Sequence, residues 1–255
     1  MRELTVASYN IHKAVGADRR RNPGRIGRVI AELDADILAL QEADLRFGDR
    51  AGVLDLAAIE AATGLRPVPI DSLGRAHGWH GNLILTRGGE IEALRQIALP
   101  GLEPRGALVV DLRWNDVPLR IVAAHLGLLR ASRLAQTRSL DRVLREADPR
   151  STILMGDLNE WRIGGRCSLQ PLPLVMARAD EGLVRSFPAR MPMLPLDRIL
   201  TSPEAVVLDI APHDSPLARR ASDHLPIRAR LRLPLPDDAQ SPNAEEAPAR
   251  RASGP

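Results

Sequence analysis

Cysteine, lysine and aromatic rings are all scarce in this 255-residue chain. The single cysteine, Cys167, excludes an internal disulfide and is expected to be a packed or loop thiol. Lys13 is the only lysine among 35 basic residues, the rest being arginine, a bias attributable to genome composition. Phe, Trp and Tyr together make up 2% of the chain, too few rings for a stacking platform along a single-stranded nucleic acid. No apolar run approaches the roughly 18 residues of a membrane helix. The opening MRELTVASYN has neither the charged region nor the apolar core and small-residue cleavage site of a secretory leader, so a cytoplasmic protein is expected. A sequence pI near 9.9 comes from arginines nearly balanced by acids; the net charge of +3 does not define a nucleic-acid surface.

What is present fits a soluble globular body: 44% hydrophobic and 26% charged residues, in a length that suits one large domain. Residues 1–233 are expected to form that domain. Residues 234–255 carry five prolines and no aromatic or β-branched residue, and are expected to be a disordered tail. No internal repeat of close identity is visible.

The chain is organised around STILMGDLNEW, residues 151–161. Ser151 to Met155 form a partly β-branched apolar run closed by Gly156, which reads as a core strand ending at a turn. Asp157 and Asn159 follow and alternate with Leu158, so an extended backbone would point both to one side. A carboxylate and a carboxamide held at a sheet's mouth can orient water, hold a phosphate or touch a metal, although G-D-x-N by itself is also an ordinary turn.

Upstream, residues 4–12 alternate as a strand ending in Asn10 and His12. A basic loop, Arg19 to Arg21, leads to Asn22 and Pro23, a helix cap and first helical residue ahead of Ile26, Val29, Ile30 and Leu33 at helical spacing. Residues 36–42 read as a buried strand ending in Gln41 and Glu42. A helix over 53–63 and a strand over 65–70 come next, followed by strands at 81–87, 90–98, 106–114 and 117–124, the last three spaced as an antiparallel meander. His125 stands where the last of these runs out. Ser132 is expected to cap a helix reaching Ala147, with Arg133, Arg138, Arg142 and Arg145 on its solvated face. A short helical stretch is expected near 172–178, then strands at 195–201 and 205–211, and the segment 222–233 puts Asp223 and His224 immediately before the final strand.

Polar residues therefore gather at strand ends: Asn10, Glu42, Asn82, His125, Asp157, Asn159, Asp197, Asp223 and His224. Carboxylates and carboxamides without a cysteine or histidine cluster favour a hard cation such as Mg²⁺, or Mn²⁺, over zinc. Each residue alone has a structural alternative: Asn10 closing a strand, Asp197 pairing with Arg198, His125 as a satisfied buried imidazole. The segments NIH, LQE, HGNLILT, AAHLG, GDLN, LDRI and SDHLPI, in that order over residues 4–233, resemble the endonuclease/exonuclease/phosphatase superfamily. The resemblance implies an α/β four-layer sandwich, two packed mixed β-sheets flanked by helices. It also implies a metal-dependent hydrolase, in which Glu42 is the principal metal ligand with Asn10 and Asp223 in support. His224 would activate or align the attacking water, oriented by Asp197. Asp157 would position or deprotonate that water, Asn159 would hold a phosphate oxygen, and His125 would assist the leaving oxygen. Asn82 and Arg105 would contact the substrate phosphate.

The resemblance leaves the phosphoester open. A nuclease is the first expectation, a phospholipid or lipid-headgroup phosphodiesterase the second, and a non-catalytic scaffold the third. NEW and FPA segments before LDRI are similar to a bacterial subgroup, and Asp197-Arg198 departs from the Asp-Tyr or Asp-Trp of many members. No exposed aromatic hairpin is visible to argue for a lipid.

Overall fold

A computed structural model describes residues 2–45, 48–71, 74–177 and 183–234. Its strands divide into two mixed sheets of six. The first sheet holds β1 (Arg2–Asn10), β2 (Ile37–Gln41), β3 (Arg66–Pro67), β4 (Leu83–Thr86), β11 (Val206–Pro212) and β12 (Ile227–Leu233). The second holds β5 (Glu90–Leu99), β6 (Arg105–Trp114), β7 (Val117–Ala124), β8 (Ser151–Asp157), β9 (Val175–Met176) and β10 (Asp197–Thr201). Their orders are β11-β12-β1-β2-β4-β3 and β5-β6-β7-β8-β10-β9. The parallel pairs β1–β2 and β7–β8 sit inside the sheets, each joined by a helix: α1 (Pro23–Leu33) and α3 (Arg130–Arg145).

Continuous apolar runs make these central strands because both faces are covered. In β2, Ile37 and Ala39 enter the core between the sheets, while Leu38 and Leu40 face the cluster containing Ile26, Val29, Ile30 and Leu33 of α1. On the far side, Val122 of β7 and Leu154 of β8 pack with Leu140 of α3. The result is the expected four layers: helices, sheet, sheet, helix. Each large side chain fully buried there contributes roughly 1.5–3 kcal/mol. No helix among the described residues is long and apolar enough to cross a membrane.

Helix α1 follows its sequence signals, Asn22 accepting a hydrogen bond from the Arg25 backbone N–H at 2.9 Å. The helix read at 53–63 is α2 (Leu56–Thr63), and the strand read at 65–70 shortens to β3. Other expectations are corrected. Helix α3 begins one turn earlier than Ser132, with Leu129 as its uncapped N-cap residue. Arg133 is buried, donating to the Gly127 and Leu128 carbonyls, so of the four arginines expected on the solvated face only Arg138, Arg142 and Arg145 are exposed. The stretch 172–177 forms no helix; it contributes β9 instead. A one-turn helix, α4 (Ala218–Ala221), not read from the sequence, precedes Asp223 and His224, which stand ahead of β12 as expected. The expected tail, residues 234–255, lies outside the described residues from 235 onward.

Candidate active site

Strand direction assembles the site. In the first sheet β1 and β2 end, and β4 and β12 begin, at one edge; in the second, β7 and β8 end while β6 and β10 begin. Gly156 belongs to β8 rather than to a turn, which carries the strand one residue further to Asp157. A Cβ on Gly156 would lie 1.8 Å from the Ala124 carbonyl oxygen, so only glycine lets β8 approach β7 there. Asn159 adopts a left-handed φ of 50°, so the expected extended alternation with Asp157 does not hold. The tight turn instead lets the Asn159 backbone N–H donate to Asp157 Oδ1 at 3.0 Å.

Asp157 is the hub. It is 2% exposed, and its Oδ2 accepts from Asn10 Nδ2 at 2.9 Å. The same oxygen lies 3.4 Å from His125 Nε2 and 3.7 Å from His224 Nε2. Behind His224, Asp197 Oδ2 meets the ring's Nδ1 at 2.7 Å and also accepts from the Ser186 hydroxyl. Asp197 therefore pairs with His224 rather than with its neighbour Arg198. Phe187 packs on the imidazole with centroids 4.8 Å apart.

The two histidines are driven to opposite charge states. Burial disfavours the His224 cation, but the charge and hydrogen bond of Asp197, with Asp157 and Asp223 nearby, overcome it and raise the pKa to about 10. For His125 burial prevails over the Asp157 charge, with Arg105 adding to it, and the pKa falls to about 4. At neutral pH the site thus holds one imidazolium and one neutral imidazole.

Glu42 follows β2 at a left-handed φ of 56°. Burial works against its ionisation, yet a hydrogen bond from Lys13 and the charges of His125, Lys13 and His12 hold its pKa below the usual carboxylate range. Lys13 lies in direct ion-pair contact with Glu42. These two residues line a cleft, partly open to solvent, with Arg50, Trp79, Arg105 and His125. Arg105 lines the cleft, its Nη2 donating to Glu103 at 2.7 Å. Asn82 does not line it: fully buried, its side-chain nitrogen donates to the Trp79 and Gly106 carbonyls and ties the start of β4 to β6. Asp223 is half exposed and faces His12 Nδ1 at 3.7 Å. Lys13 and Ser186 were not singled out as site residues; the solitary lysine was the available signal for the first, whereas Ser186 is marked only by a contact eleven residues along the chain.

Residues 7–224 match the Endonuclease/Exonuclease/phosphatase family. The chain belongs to this family. Its enzymes are hydrolases of phosphoester bonds and generally use divalent metal ions. The chain is similar to the uncharacterized protein YbhP of Escherichia coli (strain K12), 32% identical over 165 residues, a match covering 61% of this chain and 64% of that protein. It thus spans under two thirds of that relative's length. In fold it is similar to a Bacteroides thetaiotaomicron member of the endonuclease/exonuclease/phosphatase family, with TM-score 0.70 and 20% identity over 92% of this chain and 99% of that one. The mannosyl-6-phosphatase Bt3783 of Bacteroides thetaiotaomicron VPI-5482 is alike, with TM-score 0.69 and 20% identity over 90% and 100% of the two chains. At such identity the likeness to the solved structures is one of fold.

The family's use of divalent ions can be tested against the donors present. Among the described residues no three His, Cys, Asp or Glu side chains form a metal cage. A hard cation that keeps most of its waters needs only one or two carboxylates. Glu42, ionised and partly exposed, already draws a cation, the Lys13 ammonium, against its oxygens. The donors fit a cation held mainly by Glu42 and water; they do not fit a closed protein cage.

Proposed function

We propose that the chain hydrolyses phosphodiesters by attack of an activated water on phosphorus, assisted by a divalent cation. The observation that carries this reading is the convergence of Asn10, His125 and His224 on one buried oxygen of Asp157, with Asp197 behind His224. Asp157 is the proton acceptor for the water, because His224 is already protonated at neutral pH. The His224 imidazolium, aligned by Asp197, faces a phosphoryl oxygen and stabilises the charge growing there. Asn159, fixed by its own backbone N–H on Asp157 and by one Nδ2 hydrogen on the Leu126 carbonyl, donates the second Nδ2 hydrogen to another phosphate oxygen. Neutral His125 hydrogen-bonds the departing oxygen as the P–O bond breaks. The proton taken by Asp157 is the one that oxygen finally requires, so the protein is unchanged after turnover. A Mg²⁺ or Mn²⁺ ion held by Glu42, with Asn10 and Asp223 in support, would supply Lewis-acid polarisation of the phosphate.

Lys13, Arg50 and Arg105 along the cleft suit nucleic acid, the first expectation, and a phospholipid headgroup equally well. A band of exposed apolar side chains beside Asn159 favours the second. Bis(p-nitrophenyl) phosphate tests the chemistry without either macromolecule. Hydrolysis in Mg²⁺ should be abolished by EDTA and by Asp157→Asn; a rate unaffected by both would overturn the reading.

A further inference from the structure

Ten large apolar side chains are exposed among the described residues, and their distribution is uneven. Val175 and Val206 lie toward the edge away from the site, paired in register with Thr201 and Arg232. The other eight lie in connections at the site's own edge. The segment before β6 contributes Leu102; that after β7, Leu128 and Leu129; that after β8, Trp161 and Ile163; and residues 191–194, two methionines and a leucine. Leu128, Leu129 and Trp161 are 65%, 53% and 50% exposed, and they share one groove with Arg130, Arg162 and Asn159.

Two features show that this exposure is built. Leu129 occupies the N-cap of α3 with no side-chain cap, although Ser, Asp or Asn would satisfy a free helix N–H there and leucine is among the poorest choices. Local stability has been forgone where an exposed leucine stands. Trp161 follows Glu160, which is fully buried and accepts from the Ser168 N–H and hydroxyl and the Arg162 N–H, with Arg133 3.5 Å away. Arg198 donates to the Glu160 carbonyl at 2.6 Å. The loop is thus anchored from beneath while its tryptophan points outward, with Arg162 over the ring at 4.5 Å.

We infer that this rim docks on an anionic phospholipid surface and delivers a headgroup phosphodiester to Asp157, an inference that takes the site's chemistry from the proposed phosphodiesterase reading. Leucine and isoleucine have no face on which a nucleobase stacks, whereas an acyl boundary rewards them. Tryptophan favours the interface between headgroup and chain, and Arg130 and Arg162 supply charge complementary to anionic headgroups. Leu128, Leu129 and Trp161 in one groove, with the other exposed apolar side chains in connections at the same edge, mark an interaction surface rather than scattered exposure.

The test is co-sedimentation of the full chain with phosphatidylglycerol/phosphatidylcholine vesicles, with phosphatidylcholine vesicles and a single-stranded oligonucleotide as comparisons. The chain should pellet with the anionic vesicles, with a blue shift from Trp161, the most exposed of its three tryptophans. Leu128→Asp/Leu129→Asp should weaken vesicle binding by about tenfold or more. Folding of the variant is safeguarded because aspartate at position 129 caps α3, and its hydrolysis of bis(p-nitrophenyl) phosphate should be unchanged. Absence of vesicle binding with hydrolysis intact would overturn the docking surface alone. Vesicle binding without hydrolysis would overturn the enzyme reading alone. Oligonucleotide binding or self-association lost in the double variant, without lipid binding, would assign the rim to those partners and overturn the inference.

Discussion

The two sheets are topological copies of each other whose working ends carry carboxylates of different burial, Glu42 and Asp157. Each has a central parallel pair joined by a helix, flanked by antiparallel strands in the same order. In the first sheet His224 precedes β12, Asn10 ends β1, Glu42 follows β2 and Asn82 precedes β4. In the corresponding places of the second stand Arg105, His125, Asp157 and Asp197. At the two carboxylate positions burial differs: the Asp157 side chain is 3% exposed, whereas the Glu42 side chain is 23% exposed and meets Lys13. Topology decides where a polar side chain emerges, and burial decides its chemistry. The dry carboxylate, Asp157, suits proton transfer, where a charge is tightly fixed by its neighbours; the wetter one, Glu42, suits an ion that keeps its water. Neither half is complete alone, since Asn10 reaches across to Asp157 and His224 to Asp197.

Breaking the dry carboxylate should cost the most. Asp157→Asn keeps the shape and removes the proton acceptor, with an expected loss on the order of 10³–10⁴ in kcat that added metal does not restore. Glu42→Gln should lose about 10² and raise the Mg²⁺ concentration needed for half-maximal rate. A metal titration of both variants distinguishes the halves, and a normal Mg²⁺ requirement in Glu42→Gln would sink the division of labour. A structural asymmetry provides the next test. Leu40 stands in β2, one place before the strand's last residue, where β8 has Gly156. Alanine at 156 must push against the Ala124 carbonyl, which should cost about 3 kcal/mol in urea unfolding; an unchanged midpoint would show that β7 and β8 can separate freely.

Much of this was legible because strands and helices announce themselves locally. Asn22-Pro23 and the Ile26-to-Leu33 stripe define α1, and polar residues closing apolar runs marked Asn10, Glu42, His125 and Asp157. What was not legible depends on partners distant in sequence. Asn82 looks like a phosphate ligand until Gly106 is seen to take its amide, and Arg133 looks solvated until the turn at 127–128 folds over it. The duplication of sheet order leaves no trace in sequence identity, because it resides in pairing and not in residue type. Lys13 was legible only as a count, the solitary lysine, until its contact with Glu42 gave that count a place.

The smallest effect expected is on stability, and it sharpens the comparison because the two histidines bound the pH range from opposite sides. His224 has a folded pKa raised from 6.5 to about 10, so the folded state holds its proton more tightly than the unfolded chain. Its contribution is complete below about 6.5 and is lost as pH climbs toward 10. His125 has a folded pKa lowered from 6.5 to about 4, so its unfolded form takes up the proton first on acidification. The neutral ring's contribution to stability is present above about 6.5 and is lost as pH falls through 4. Urea midpoints followed across pH should therefore decline on both flanks of neutrality. His224→Asn should flatten the alkaline flank and leave the acidic one, and His125→Asn should do the reverse. If one substitution flattened both flanks, the histidines would titrate as a single unit through Asp157, and the opposite charge states assigned to the two rings would have to be abandoned.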